Sequence, residues 1–142
     1  MQNTEQTLLP VLIKRCARII DRRIDAMLKK HGIARSQYRV MYYVAHGGEP
    51  SQKELQEKLG VQASTMTLIV NTLVQKGWLV RVRNPKDKRH NKLQLSAEGK
   101  KLYNEIPEPA NILDNALREE LGKDEARLYE TLLIKTINRF NQ

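Results

Sequence analysis

The densest chemistry in this chain is a short basic run. Between positions 78 and 92 stand six cations, Arg81, Arg83, Lys86, Lys88, Arg89 and Lys92, against a single acid, Asp87. A run this basic favours a polyanion partner, nucleic acid or an acidic membrane surface; the bland alternative is a solvated basic turn. Arg89 is the strongest candidate within it, because the negative potential of a narrow DNA minor groove draws in a guanidinium. Lys86, Lys88 and His90 would add contacts to a phosphate backbone. Asp87 cannot meet phosphate favourably, so its expected role is to orient Arg89 or a neighbouring cation by an ion pair. A second set lies upstream: Gln62, Ser64, Thr65, Thr67 and Asn71. Side-chain amides suit adenine, and hydroxyls suit phosphate or a thymine methyl. Leu68, in their midst, reads as an apolar contact to a partner or to a thymine methyl. A third set is Ser51, Gln52 and Lys53, at the start of an expected helix, where free N–H groups and the positive dipole end favour phosphate. Ser51 also reads as a plain cap, and the two roles are compatible.

Other chemistries find little footing. There is no Ser/His/Asp or Cys/His arrangement, no Gly-rich phosphate loop and no zinc-type spacing, so neither an enzyme nor a metal or cofactor is expected. His31 and His46 fall at helix ends, where histidine commonly caps, and His90 lies in the basic run; the three are too scattered for a metal site. Tyr38, Tyr42 and Tyr43 could line an effector pocket, but their helical spacing reads more simply as core. The single cysteine, Cys16, cannot form an internal disulfide, which agrees with a reducing, cytoplasmic setting. It sits on an apolar stripe and is expected to be inert in a core or a dimer face. No run approaches the ~20 apolar residues of a membrane span. The N-terminus lacks the ordered head, apolar stretch and cleavage site of a secretory signal.

Periodicity supplies the elements that must hold these groups. Leu9, Leu12, Cys16, Ile20, Ile24 and Met27 recur at steps of three or four, predicting a helix over 7–30, with Thr7 as its cap and Pro10 in its first turn. A second helix is expected over 36–46. Ser51 with Glu54 three residues on has capping-box spacing and opens a short helix that Gly60 ends. A further helix runs over 62–76, its apolar face made by Val61, Met66, Ile69, Val70 and Leu73 and its stop by Gly77. Two helices joined through a Gly-containing turn form a helix-turn-helix. Alternation over 78–83 and 91–96 then gives two strands around a polar turn. Helix, helix and hairpin in that order make a winged helix-turn-helix, the hairpin being the wing. Beyond Ser96 the stripe Leu102, Ile106, Ala110, Leu113, Leu117 and Leu121 is helical but broken by Pro107 and Pro109. Gly122 separates a last helix bearing Ala126, Tyr129, Leu133, Ile137 and Phe140.

Charge follows the same division. The chain of 142 residues carries 25 Lys and Arg against 16 Asp and Glu, a formal +9. Of that excess, +8 lies within 34–101, which holds 13 basic and 5 acidic residues. The flanks are nearly balanced and carry apolar stripes that a small central domain cannot cover. A second copy of the chain is the economical cover, since symmetric dimers are the commonest oligomers. The expected class is therefore mainly α (α+β), with an N-terminal dimerisation helix over 1–32, a winged helix-turn-helix domain over 33–101 and C-terminal dimerisation helices over 102–142.

These residues resemble the MarR (multiple antibiotic resistance regulator) family of transcription factors. Gln37 with Val40 and Met41 is similar to the family's second-helix signature. Ser51-Gln52-Lys53-Glu54-Leu55, then Leu59-Gly60-Val61, is similar to its third helix and turn. Ser64-Thr65-Met66-Thr67 and the ending Leu73-Val74-Gln75-Lys76-Gly77-Trp78-Leu79 resemble its recognition helix. Asp87-Lys88-Arg89, followed by Leu93, Leu95-Ser96 and Gly99, resembles its wing. The resemblance implies a homodimeric regulator of palindromic double-stranded DNA, often a repressor released by a small-molecule effector. It also implies departures. The family usually carries Arg or Lys where this chain has Leu68 and Thr72, and an Asp or Ser cap where it has Gln62. The family branch that senses hydroperoxides through an N-terminal cysteine has a longer spacing than Cys16 to Gln37 and tyrosine partners that this chain lacks. The runner-up is a winged-helix module that binds protein, for example as an antagonist of another regulator. RNA binding stands third, because no aromatic stacking platform is visible.

Overall fold

The computed structural model describes residues 7–142. Positions 1–6 of the segment expected over 1–32 lie outside the described residues. In chain order the elements are α1 (Leu9–Lys29), α2 (Arg35–His46), α3 (Gln52–Leu59), α4 (Ala63–Gln75), β1 (Leu79–Arg83), β2 (Asn91–Leu95), α5 (Ala97–Glu105), α6 (Pro109–Leu121) and α7 (Lys123–Phe140). The architecture is mainly helical with one two-stranded antiparallel sheet, a winged helix-turn-helix. Two compact units divide it, Met1–Ile106 and Pro107–Gln142.

The first unit is built on side chains that the helical and strand periods aim inward. Leu28 of α1, Val40 and Met41 of α2, Leu55 of α3, and Met66, Val70 and Leu73 of α4 meet Leu79 and Leu93 of the sheet, all essentially inaccessible to water. Burying each such side chain stabilises the fold by about 1.5–3 kcal/mol. That burial is what makes α4 a helix. Its sequence is rich in β-branched residues, which form helices weakly, and its N-cap Gln62 makes no side-chain capping bond. By contrast α3 is capped on both sides: the Ser51 hydroxyl accepts from the Glu54 amide at 3.1 Å, and the Glu54 carboxylate accepts from the Ser51 amide at 3.3 Å. Between the two helices Gly60 takes a left-handed φ of 64°, which any other residue would adopt only with strain.

Some local expectations shift. The first helix starts at Leu9 with Leu8 as its N-cap, not Thr7, and Pro10 sits in the first turn where no N–H is needed. The α2 helix begins one residue early, because Gln37 reaches back to accept from the Ala34 amide at 3.0 Å. Arg35, at its start, is ion-paired with Asp21 and with Asp25 (3.3 Å) of α1. The hydrogen bond that Arg35 donates to the Asp21 carboxylate raises the Arg35 pKa above its ordinary value. Pro107 and Pro109 do break the stripe: α5 stops at Glu105, and α6 starts afresh at Pro109.

The wing is a hairpin in the register Leu79↔Leu95, Arg81↔Leu93 and Arg83↔Asn91. Its base is anchored twice. Ser51 forms an antiparallel bridge with Lys92, and the Leu93 amide donates to the Pro50 carbonyl at 2.9 Å, so the segment before α3 acts as a rudimentary third strand. At the other side the Ser96 amide donates to the Trp78 carbonyl, and the Ser96 hydroxyl donates to the Gly77 carbonyl while accepting from the Gly99 amide. A Cβ at Gly99 would stand 2.0 Å from the Trp78 carbonyl oxygen, so only glycine fits this crossing.

In the second unit α6 and α7 pack through Leu113 and Ala126. Arg118 ties them together, pairing with Asp114 on α6 and with Glu130 on α7, each at 3.0 Å.

Candidate nucleic-acid interface

The core face of α4 points Met66, Val70 and Leu73 inward, so its opposite face is turned to solvent. At 3.6 residues per turn, Leu68 lies about 200° from Met66, on the crown of the exposed side. It is 68% exposed. Ser64 and Thr65 flank it one turn earlier, and neither hydroxyl has a partner among the described residues; the same holds for the Gln62 amide. Gln75, two turns beyond Leu68, is exposed and likewise without a side-chain partner among the described residues, whereas Thr67, Asn71 and Thr72 are engaged. Thr67 accepts from the Gln52 amide of α3 at 2.7 Å and donates to the Ala63 carbonyl at 2.9 Å. Asn71 accepts from the Arg81 guanidinium through its side-chain oxygen. Thr72 donates to the Leu68 carbonyl at 2.8 Å. Lys76, just past the helix end, lies with its Nζ 4.8 Å from the centre of the Trp78 ring. No cation therefore stands on the crown.

The wing is the reverse. Among the described residues Arg83, Lys86, Lys88 and Arg89 make no side-chain ion pair or hydrogen bond, and all four are exposed. Of the two partners expected for Asp87, Arg89 or a neighbouring cation, the Arg89 guanidinium is not paired with it. Asp87 Oδ1 instead accepts from the Arg89 main-chain amide at 3.0 Å, and its Oδ2 lies 4.0 Å from His90 Nε2. With Asn84 accepting from the Lys86 amide at 3.0 Å, the two short acceptors shape the turn and leave the guanidinium uncommitted.

Between α3 and the wing lies a cleft of about 290 Å3 lined by Ser51, Gln52, Lys53, Arg81 and Arg89, among others. Ser51, Gln52 and Lys53 thus meet Arg89 and His90, while Lys86, Asp87 and Lys88 stay out on the turn. Arg81 belongs to this site; the sequence counted it in the basic run but assigned it no role. Strand alternation carried the signal, since Arg81 shares a sheet face with Leu79, the face turned to α4. Glu49 was missed as well. It holds a left-handed φ of 63°, accepts from the Gln94 amide and lies 3.8 Å from Lys92 Nζ, so it clasps β2 from the loop before α3. Elsewhere Tyr38 is buried and stacked on Tyr103 of α5, ring centres 5.8 Å apart, while Tyr42 and Tyr43 are half-buried. Cys16 is exposed on α1. Among the described residues no three His, Cys, Asp or Glu stand together to hold a metal, and no helix is long and apolar enough to cross a membrane.

Helix, glycine turn, helix and basic hairpin match a known family. The MarR family model fits residues 31–90. An uncharacterised HTH-type transcriptional regulator of Bacillus subtilis (strain 168), YwoH, is 35% identical over 112 residues, covering 79% of this chain and 78% of its own. This chain belongs to the MarR family. Another relative, the HTH-type transcriptional regulator FarR of Neisseria gonorrhoeae, is 30% identical over 107 residues, 75% of this chain and 73% of its own. A crystal structure of a cysteine-to-serine mutant of MarR from E. coli, complexed with operator DNA, superimposes with a TM-score of 0.80 at 26% identity, over 96% of this chain and 99% of that one. As a MarR-family winged-helix protein, the chain is a DNA-binding transcription regulator.

Proposed function

We propose that this MarR-family chain is a homodimeric repressor of palindromic double-stranded DNA, with α4 in the major groove, the wing in the minor groove, and release by a small-molecule effector. The observation that carries the DNA reading is the unpartnered row Arg83, Lys86, Lys88 and Arg89, beside the free Ser64 and Thr65 of α4. Cations with no internal partner are available for phosphate, and a helix crown that is not packed is free to enter a groove. Support for the dimer comes from apolar residues left in water: Leu9, Leu12 and Ile13 on α1, and Leu128, Leu132, Ile134, Ile137 and Phe140 on α7, the last 85% exposed. In this reading 1–32 and 102–142 pair two copies, and 33–101 meets DNA. Two copies would address half-sites about one helical turn apart. Effector release is carried over from the family resemblance, and no enzymatic step belongs to the reading.

The test is a titration of duplexes enriched from a random pool, repeated over a range of salt. Log affinity should fall with log salt at a slope of about −0.9 per phosphate contact. Sedimentation of the free protein should give twice the 16.5 kDa chain mass. Binding that ignores salt, or is absent from every duplex, sinks the DNA reading in favour of a protein-binding module. A monomer sinks the palindrome.

A further inference from the structure

The crown of α4 carries a leucine where a DNA reader most often carries a hydrogen-bonding group, and the structure leaves that leucine nothing of its own chain to pack on. Leu68 is 68% exposed and stands opposite the buried Met66, Val70 and Leu73. Three polar side chains near it, Thr67, Asn71 and Thr72, are already engaged within the chain. Asn71 pairs with adenine through both its side-chain oxygen and its amide, and Arg81 already takes one of that oxygen's two acceptor positions and orients the group toward β1. Thr67 is fixed between Gln52 and the Ala63 carbonyl, and Thr72 is bonded back to Leu68's own carbonyl. The cation nearest the helix end, Lys76, lies over Trp78. What α4 offers outward is therefore Leu68, flanked by the hydroxyls of Ser64 and Thr65 one turn before it and by the side-chain amide of Gln75 two turns after it, with no cation on that face.

In the major groove only one base presents an apolar group, the C5-methyl of thymine. We infer that Leu68 reads a thymine methyl in each half-site, so that this regulator recognises its operator by apolar contact where arginine–guanine pairing would otherwise serve. The inference rests on the proposed DNA binding and names the base class that the site selects. The occupant is duplex DNA, because the surface around the leucine carries Lys53, Arg81 and Arg89 at the adjoining cleft and the unpartnered cations of the wing. An apolar protein groove would leave those charges unanswered.

Uracil supplies the test, since it keeps every hydrogen-bonding group of thymine and lacks the methyl. Duplexes enriched by the full-length protein are resynthesised with uracil at each thymine in turn and titrated at one salt concentration. At least one position per half-site should bind about fourfold more weakly, the value of one buried methyl-sized group. Leu68→Ala should bind the thymine and uracil versions of that position equally; the side chain is exposed, so this variant folds. Equal affinity at every position, or discrimination that persists in Leu68→Ala, overturns the inference while leaving DNA binding intact. Enrichment of no sequence, with salt-dependent binding retained, overturns it too. Failure to bind any duplex removes the DNA reading itself, and this inference with it.

Discussion

The wing and the recognition helix divide two tasks that are often combined. Arg83, Lys86, Lys88 and Arg89 carry charge with no internal partner. Across the hairpin base, α4 carries almost none, and three of its polar side chains, Thr67, Asn71 and Thr72, are tied to α3, to β1 or to the helix itself. Counterion release scales with the number of neutralised phosphates and ignores sequence, whereas base reading needs groups that face the groove edge. On the proposed reading the difference places affinity in a hairpin turn shaped by Asn84 and Asp87, and discrimination in a small apolar crown. Variants can separate the two.

The largest effect should come from breaking the joint on which both regions depend. Gly99 lets α5 pass directly over the Trp78 carbonyl, at the junction where α4 hands over to β1. Gly99→Ala forces a methyl group to within 2.0 Å of that oxygen unless the backbone moves. Stability measured by denaturant titration should fall by about 3 kcal/mol, the upper range for overpacking. A loss below about 0.5 kcal/mol, the scale of a neutral surface change, would mean that wing and helix are not held in one rigid frame.

Next in size is the wing alone. Arg89→Ala should weaken duplex binding about tenfold, the scale of one hydrogen bond to a charged group, and should flatten the salt slope by about one per protomer. Folding and self-association should be unaltered, because the Arg89 guanidinium makes no hydrogen bond or ion pair among the described residues. Wild-type affinity in this variant would take the wing out of the mechanism and leave the comparison without its first member.

Much of this comparison was legible in the sequence where the signal is local. Ser51 and Glu54 sit at capping-box spacing, and the box forms. The alternation in 78–83 and 91–96 gives the two strands, and Pro109 marks the first turn of α6. What was hidden depends on partners far apart in the chain or on geometry within a turn. Glu49 meets Gln94, and Ser51 bridges to Lys92, across a separation that no periodicity reports. Asp87 looks by type like an ion-pair partner for Arg89, but two residues apart in a tight turn its carboxylate meets the main-chain amide first. Asn71 looks like a base reader until β1 delivers Arg81 beside it.

That pair gives the smallest effect and the finest test. If Asn71 serves to position Arg81, Asn71→Asp replaces the neutral amide acceptor of the guanidinium by a carboxylate, making an ion pair that holds Arg81 harder. Arg81 would then face DNA with its charge offset, and duplex affinity should fall about three- to fivefold, the scale of a partly exposed ion pair. Asn71→Ala should instead release Arg81 and cost less than Asn71→Asp. Sequence preference should be the same for both variants as for the native protein. A base-reading Asn71 predicts a different ordering. Both substitutions would then relax preference at one position of the half-site, with alanine and aspartate losing similar affinity. Titration of the two variants against single-position operator mismatches distinguishes these outcomes, and so decides whether α4 reads through its polar flank or only through its crown.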